Sequence, residues 1–112
     1  MIFNKDHATI TDVGPTVDML KVSFDLGFNI STTVQVRLAR VLAPRDPIKN
    51  REAIDYLMHK IKFAKEMKVV VYKAGRTNNY LIDLFINSNN LNTDLIKKGY
   101  AKNYERKNYS RK

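Results

Sequence analysis

Thr32-Thr33-Val34-Gln35-Val36-Arg37-Leu38-Ala39 alternates strictly, with Val34, Val36 and Leu38 on one face and Thr33, Gln35 and Arg37 on the other. A period of two reads as a strand with one buried face. Just downstream the period changes. Ile54, Leu57, Met58, Ile61 and Ala64 recur at three- and four-residue spacing, which predicts an amphipathic helix over 49–67 with Ile54, Leu57, Met58 and Ile61 in the core. Ala43-Pro44-Arg45-Asp46-Pro47 between them reads as a loop.

Upstream, residues 8–13 are β-prone. Val17 and Met19, then Val22, Phe24, Leu26, Phe28 and Ile30, give a second alternating run. Its parity shifts near Leu20 and Lys21, so a bulge is expected there. Downstream, Lys68–Tyr72 and Leu81–Ile86 read as strands joined by a hairpin connection over Lys73–Asn79, with Asp83 a polar interruption in the second. Asn87–Asn90 reads as a turn. Asn92 or Thr93 is positioned to cap a short helix through Lys98, ended by Gly99. Short antiparallel strands with one long helix inserted after the third predict a β-rich α+β fold. The specific expectation is a five-stranded OB-type barrel with a short C-terminal helix.

Composition bounds the function. The chain has 112 residues, 44% apolar and 28% charged, which fits one globular domain. The expected division is a domain over residues 1–104 and a basic tail over 105–112. There is no cysteine, which excludes disulfides, thiolate metal sites and cysteine nucleophiles. The two histidines, His7 and His59, are too few for a histidine metal site and are expected at the surface. No stretch reaches the roughly 18 apolar residues of a membrane-spanning helix, and the N-terminus lacks a secretory core, so a cytoplasmic protein without membrane contact is expected.

Twenty Lys and Arg against eleven Asp and Glu give a net charge of +9. The excess gathers at the end: Lys97, Lys98, Lys102, Arg106, Lys107, Arg111 and Lys112 interleave with Tyr100, Tyr104 and Tyr109. Cations among aromatics suit phosphate neutralisation with base stacking. The same run also fits a solvated tail.

Four stretches resemble the staphylococcal nuclease-like (thermonuclease) family, in its short phage and bacterial form. Asp12-Val13-Gly14-Pro15-Thr16-Val17 is similar to Asp-Gly-Asp-Thr-Val, and Asp25-Leu26-Gly27-Phe28 to Asp-Leu-Gly-Phe. Residues Val36 to Arg45 (VRLARVLAPR) are similar to Val-Arg-Leu-x-Gly-Ile-Asp-Thr-Pro-Glu. Residues Asn92 to Tyr104 (NTDLIKKGYAKNY) are similar to Asn-x-x-Leu-Val-x-x-Gly-x-Ala-x-x-Tyr. The resemblance spans about residues 8 to 104. Eleven asparagines among many Lys and Ile also lean toward an AT-rich phage or bacterial genome.

The resemblance implies hydrolysis of DNA and RNA phosphodiesters with one calcium ion. It calls for two metal-bound aspartates, a glutamate near the attacking water and two arginines on the phosphate. In this chain Pro15 stands at the second aspartate, Leu42 at the aspartate of Ile-Asp-Thr-Pro-Glu, and Arg45 at its glutamate. Asn79 lies nearest the second arginine, and Arg37 alone matches a catalytic residue. Asp12 and Asp46 are the acids best placed to replace the lost ligands, and Leu42 is free to join the packing.

The expectation is therefore a pseudo-nuclease with no catalytic residue, metal or cofactor. It would bind nucleic acid through a cationic face formed by Arg37, Arg40, Arg45, Lys73, Arg76, Tyr80, Lys102, Tyr104, Arg106 and Lys107. Each has a plainer reading: Arg37 solvated or paired with Asp18 or Asp25, Arg40 and Arg45 facing solvent near turns. Two other functions stay open: a protein-interaction module acting on a partner protein, and a residual metal-dependent nuclease.

Overall fold

The computed structural model describes residues 1–73 and 80–103, the Lys73 side chain excepted. Among them the order is β1 (Ile2–Asn4), β2 (Ala8–Val13), β3 (Met19–Gly27), β4 (Ile30–Leu38), β5 (Val41–Leu42), α1 (Pro47–Lys62), β6 (Met67–Lys73), β7 (Tyr80–Ile86), β8 (Asn89–Asn90), α2 (Leu91–Lys97) and β9 (Lys102–Asn103). The main sheet runs β1-β6-β7-β4-β3-β2, with β8 added to β7, and β5 pairs with β9 separately. Every pairing is antiparallel except β4 with β7.

This is the expected strand-rich α+β fold of OB type, but its sheet is not closed into a barrel. The hydrogen-bonded path ends at β1 and β2, which are consecutive in the chain. Lys5-Asp6-His7 bends one N-terminal segment from the β6 edge to the β3 edge, and the His7 carbonyl accepts Asp25 N–H at 2.9 Å. The covalent turn, not a ladder, joins the two ends.

Alternation places Leu20, Val22 and Phe24 of β3, Val36 and Leu38 of β4, and Ile82, Leu84 and Ile86 of β7 in one core. The expected bulge does lie beside Lys21, but its extra residue is on the partner strand: Ile10 of β2 faces Val22 and Asp12 faces Lys21, while β3 keeps its parity from Leu20 to Phe24. A second register shift falls on β3 itself, between Asp25 and Gly27. Val17, which suggested the parity change, is buried just ahead of the strand.

Helix α1 starts earlier than its periodicity suggests. Asp46 Oδ1 accepts Ile48 N–H at 3.0 Å, and Pro47 occupies the first turn, where its missing N–H costs nothing. It ends earlier too, because Asn87 Oδ1 accepts the N–H groups of Lys65 and Glu66 and turns the chain into β6. Ala53, Ile54 and Leu57 face the core, while Met58, at the rim of the stripe, is 49% exposed.

Helix α2 is capped by Asn90, whose side chain accepts Thr93 N–H, rather than by Asn92 or Thr93. Asn92 is instead fully buried: its Oδ1 accepts Leu84 N–H, and its Nδ2 donates to the Ala39 and Ile82 carbonyls. Gly99 follows with φ of +80°, the left-handed position that ends many helices. The helices are tied together by Tyr56, which donates to Asp94 and stacks on Tyr100 with ring centroids 4.6 Å apart.

Candidate nucleic-acid interface

Arg37 sits near the C-terminal end of β4, paired with Met19 of β3 on one side and Leu81 of β7 on the other. Its backbone is therefore flanked by a strand on both sides. Its Nη1 donates to Asp18 Oδ2 at 3.2 Å. Asp18 is buried, and its second oxygen accepts the Thr16 hydroxyl at 2.5 Å. The segment carrying Asp18 is pinned in turn by Asn50 of α1, which accepts Val17 N–H and donates to the Pro15 carbonyl. A buried carboxylate thus orients one edge of the guanidinium.

The Arg37 side chain as a whole is 52% exposed. Arg37 lines a depression of about 220 Å³ with Met19, Gln35, Val36 and Tyr80. That is smaller than the roughly 300–1,000 Å³ of small-molecule pockets. The structure brings together two of the residues named from sequence, Arg37 and Tyr80.

The others are placed differently. Arg40 lies in a turn with φ of 66°, and its Nη2 donates to Asp83 Oδ1 at 2.6 Å. The other Asp83 oxygen accepts the Tyr72 hydroxyl at 2.7 Å. That bond, then burial, raises the ionisation of Tyr72 above the ordinary tyrosine range. Asp83, noticed in the sequence only as an interruption in a strand, is a buried acid held by two partners. Arg45 is exposed beside the helix cap Asp46. Lys102 is exposed on β9, opposite Leu42 of β5. Arg76, Tyr104, Arg106, Lys107 and the Lys73 side chain lie outside the described residues.

Calcium requires six to eight oxygen ligands. Among the described residues the positions that the resemblance assigns to calcium do not supply them. Pro15 and Leu42 have no side-chain oxygen, and Arg45 is cationic. Leu42 is also not drawn into the packing, being 44% exposed. Asp46 is engaged as a helix cap, Asp18 is engaged by Thr16 and Arg37, and Asp12 is exposed opposite Lys21. Among the described residues no three His, Cys, Asp or Glu side chains converge on a point where a metal would sit.

Asp18 as the partner of Arg37 was one of the alternatives open in the sequence. The Arg40–Asp83–Tyr72 and Tyr56–Asp94 links were not, because each joins residues far apart in the chain and no local pattern marks them.

The family model for the staphylococcal nuclease homologue matches residues 35–112, well over half of the chain. The chain belongs to that family. Its fold is accordingly of nuclease type, and domains of this kind act on or bind nucleic acid. No curated protein matches the chain. Among the described residues no helix is long and apolar enough to cross a membrane.

Proposed function

We propose that the protein is a pseudo-nuclease that binds a nucleic-acid strand without calcium and does not cut it. The observation that carries this reading is the pairing of Arg37, oriented by buried Asp18, with Tyr80 across a small open depression, in a chain whose calcium positions hold Pro15, Leu42 and Arg45. An arginine fork grips phosphate oxygens without metal, and a tyrosine ring offers a face or hydroxyl to the adjoining nucleotide. Arg45 and Lys102, both exposed, extend the positive field. Arg40 contributes charge but is held by Asp83, so its main role is structural.

The mechanism is binding alone. Asp18 fixes the orientation of the fork before the strand arrives, which lowers the ordering cost of each contact. The affinity is mainly electrostatic and falls steeply with salt.

The test is an electrophoretic assay of labelled single-stranded DNA and RNA incubated with the protein, in calcium and in chelator. A shifted, intact strand in both is expected. A strand cut only in calcium would overturn the reading, and so would the absence of any shift at physiological salt.

A further inference from the structure

The distal end of the β3–β4 hairpin is exposed and apolar. Leu26 is 54% exposed, Ile30 55% and Phe28 95%. On β4, Ile30, Thr32 and Val34 continue the face that buries Val36 and Leu38, past the point where β7 pairs with it. The core face thus runs out into solvent.

Phe28 adds an independent observation. Phe28 and Asn29 form the two-residue turn of the hairpin, with φ of 54° and 61°. Both values are positive, as in the primed turns that suit hairpins, where Asn and Gly are favoured. Asn29 is at home there. A bulky aromatic is not, and its left-handed backbone is strained. Phe28 carries that strain while almost wholly exposed, so nothing within the described monomer compensates for either cost.

Charge selects the occupant. Residues 26–36 are the longest charge-free run in a chain of net +9. Nucleic acid finds no cation there to neutralise its phosphates, and an acidic protein finds none to pair with. A second copy of this chain, repelled by most of the surface, can approach closely at this end.

We infer that the protein forms a two-fold dimer through its β3–β4 hairpins, with Leu26, Phe28 and Ile30 of one copy covering the same residues of the other. The apolar tip offers on the order of half the ~800 Å² per partner of a standard interface. The dimer is therefore weak and depends on concentration.

Sedimentation equilibrium of the full chain from about 5 µM to about 300 µM, in moderate salt, reads this directly. A reversible monomer–dimer equilibrium is expected. Phe28→Asn is expected to remain monomeric throughout and to melt at a higher temperature than wild-type monomer, since Asn accepts the turn conformation. Ile30→Lys is expected to be monomeric with its fold intact. A wild-type chain that stays monomeric at the highest concentration would overturn the inference. So would a dimer unaffected by both substitutions, or a Phe28→Asn chain that melts lower. A monomeric wild type whose oligonucleotide affinity falls in Phe28→Asn would assign the tip to nucleic acid instead. The nucleic-acid reading does not depend on any of these outcomes.

Discussion

Asp18 accepts a hydrogen bond from Arg37 while its other oxygen is held by Thr16, so a buried carboxylate positions a half-exposed guanidinium at the rim of the Tyr80 depression. Arg37→Ala removes a charge-assisted contact to phosphate, and oligonucleotide affinity is expected to fall about tenfold, about 1.4 kcal/mol. Arg37→Lys keeps the charge but loses the fork, and an intermediate loss is expected. Fluorescence anisotropy at fixed salt reads both, and circular dichroism checks that the fold is kept.

Arg40 is expected to behave in the opposite way. Its substitution by Ala leaves Asp83 buried with only the Tyr72 hydroxyl. A loss of about 1–3 kcal/mol of stability is expected, less than for a fully buried pair because the Arg40 side chain is 44% exposed. Oligonucleotide affinity of the folded protein is expected to change less than about threefold. Urea denaturation and anisotropy on the same sample separate the two effects. A large affinity loss with unchanged stability would return Arg40 to the binding face.

Asn92 links α2 to β7 and to the turn after β4. Asn92→Ala takes away the partners of the Leu84 N–H and the Ala39 carbonyl, while the Ile82 carbonyl keeps the Ala39 N–H at 2.8 Å. A loss of about 2–4 kcal/mol is expected, seen as a lower urea midpoint with unchanged slope. A stability within about 0.5 kcal/mol of wild type would show that water replaces those bonds.

Tyr56 and Tyr72 are expected to ionise late. Burial, then the hydrogen bond and charge of Asp94, push the Tyr56 hydroxyl up, and the hydrogen bond to Asp83 raises Tyr72. Both folded pKa values lie above the unfolded value of about 10. Between the two values the unfolded chain has released protons that the folded chain still binds. The stabilisation is thus complete below about pH 10 and declines as pH rises through the folded values. Ultraviolet absorbance of tyrosinate should show a late-titrating fraction that shrinks in Tyr56→Phe. A single ordinary tyrosine titration in the wild type would contradict the Tyr56–Asp94 link.

Much of this was legible in local pattern. The alternation of Val34, Val36 and Leu38 and the spacing of Ile54, Leu57, Ile61 and Ala64 report which face is buried, and burial is what a period records. Gly99 marks a helix end because few other residues tolerate its backbone there. The misplaced features depend on the tertiary setting. Asn90 and Asn92 are chemically alike, and only the position of β7 makes one a cap and the other a buried bridge. The open sheet was hidden because Lys5–His7 looks like an ordinary turn until β6 and β3 flank it. At the site, Arg37 and Tyr80 lie more than forty residues apart and meet only because β4 and β7 pair in parallel, Val36 opposite Tyr80.

The most direct measurement is the salt dependence of oligonucleotide affinity in chelator, for wild type and Arg37→Ala. Wild type is expected to bind without calcium, with log affinity falling linearly against log salt. In Arg37→Ala the slope should be shallower by about 0.7 on a single strand, the value for one lost phosphate contact. Identical slopes and affinities for the two proteins, or binding that appears only when calcium is restored, would contradict a metal-free phosphate site at Arg37.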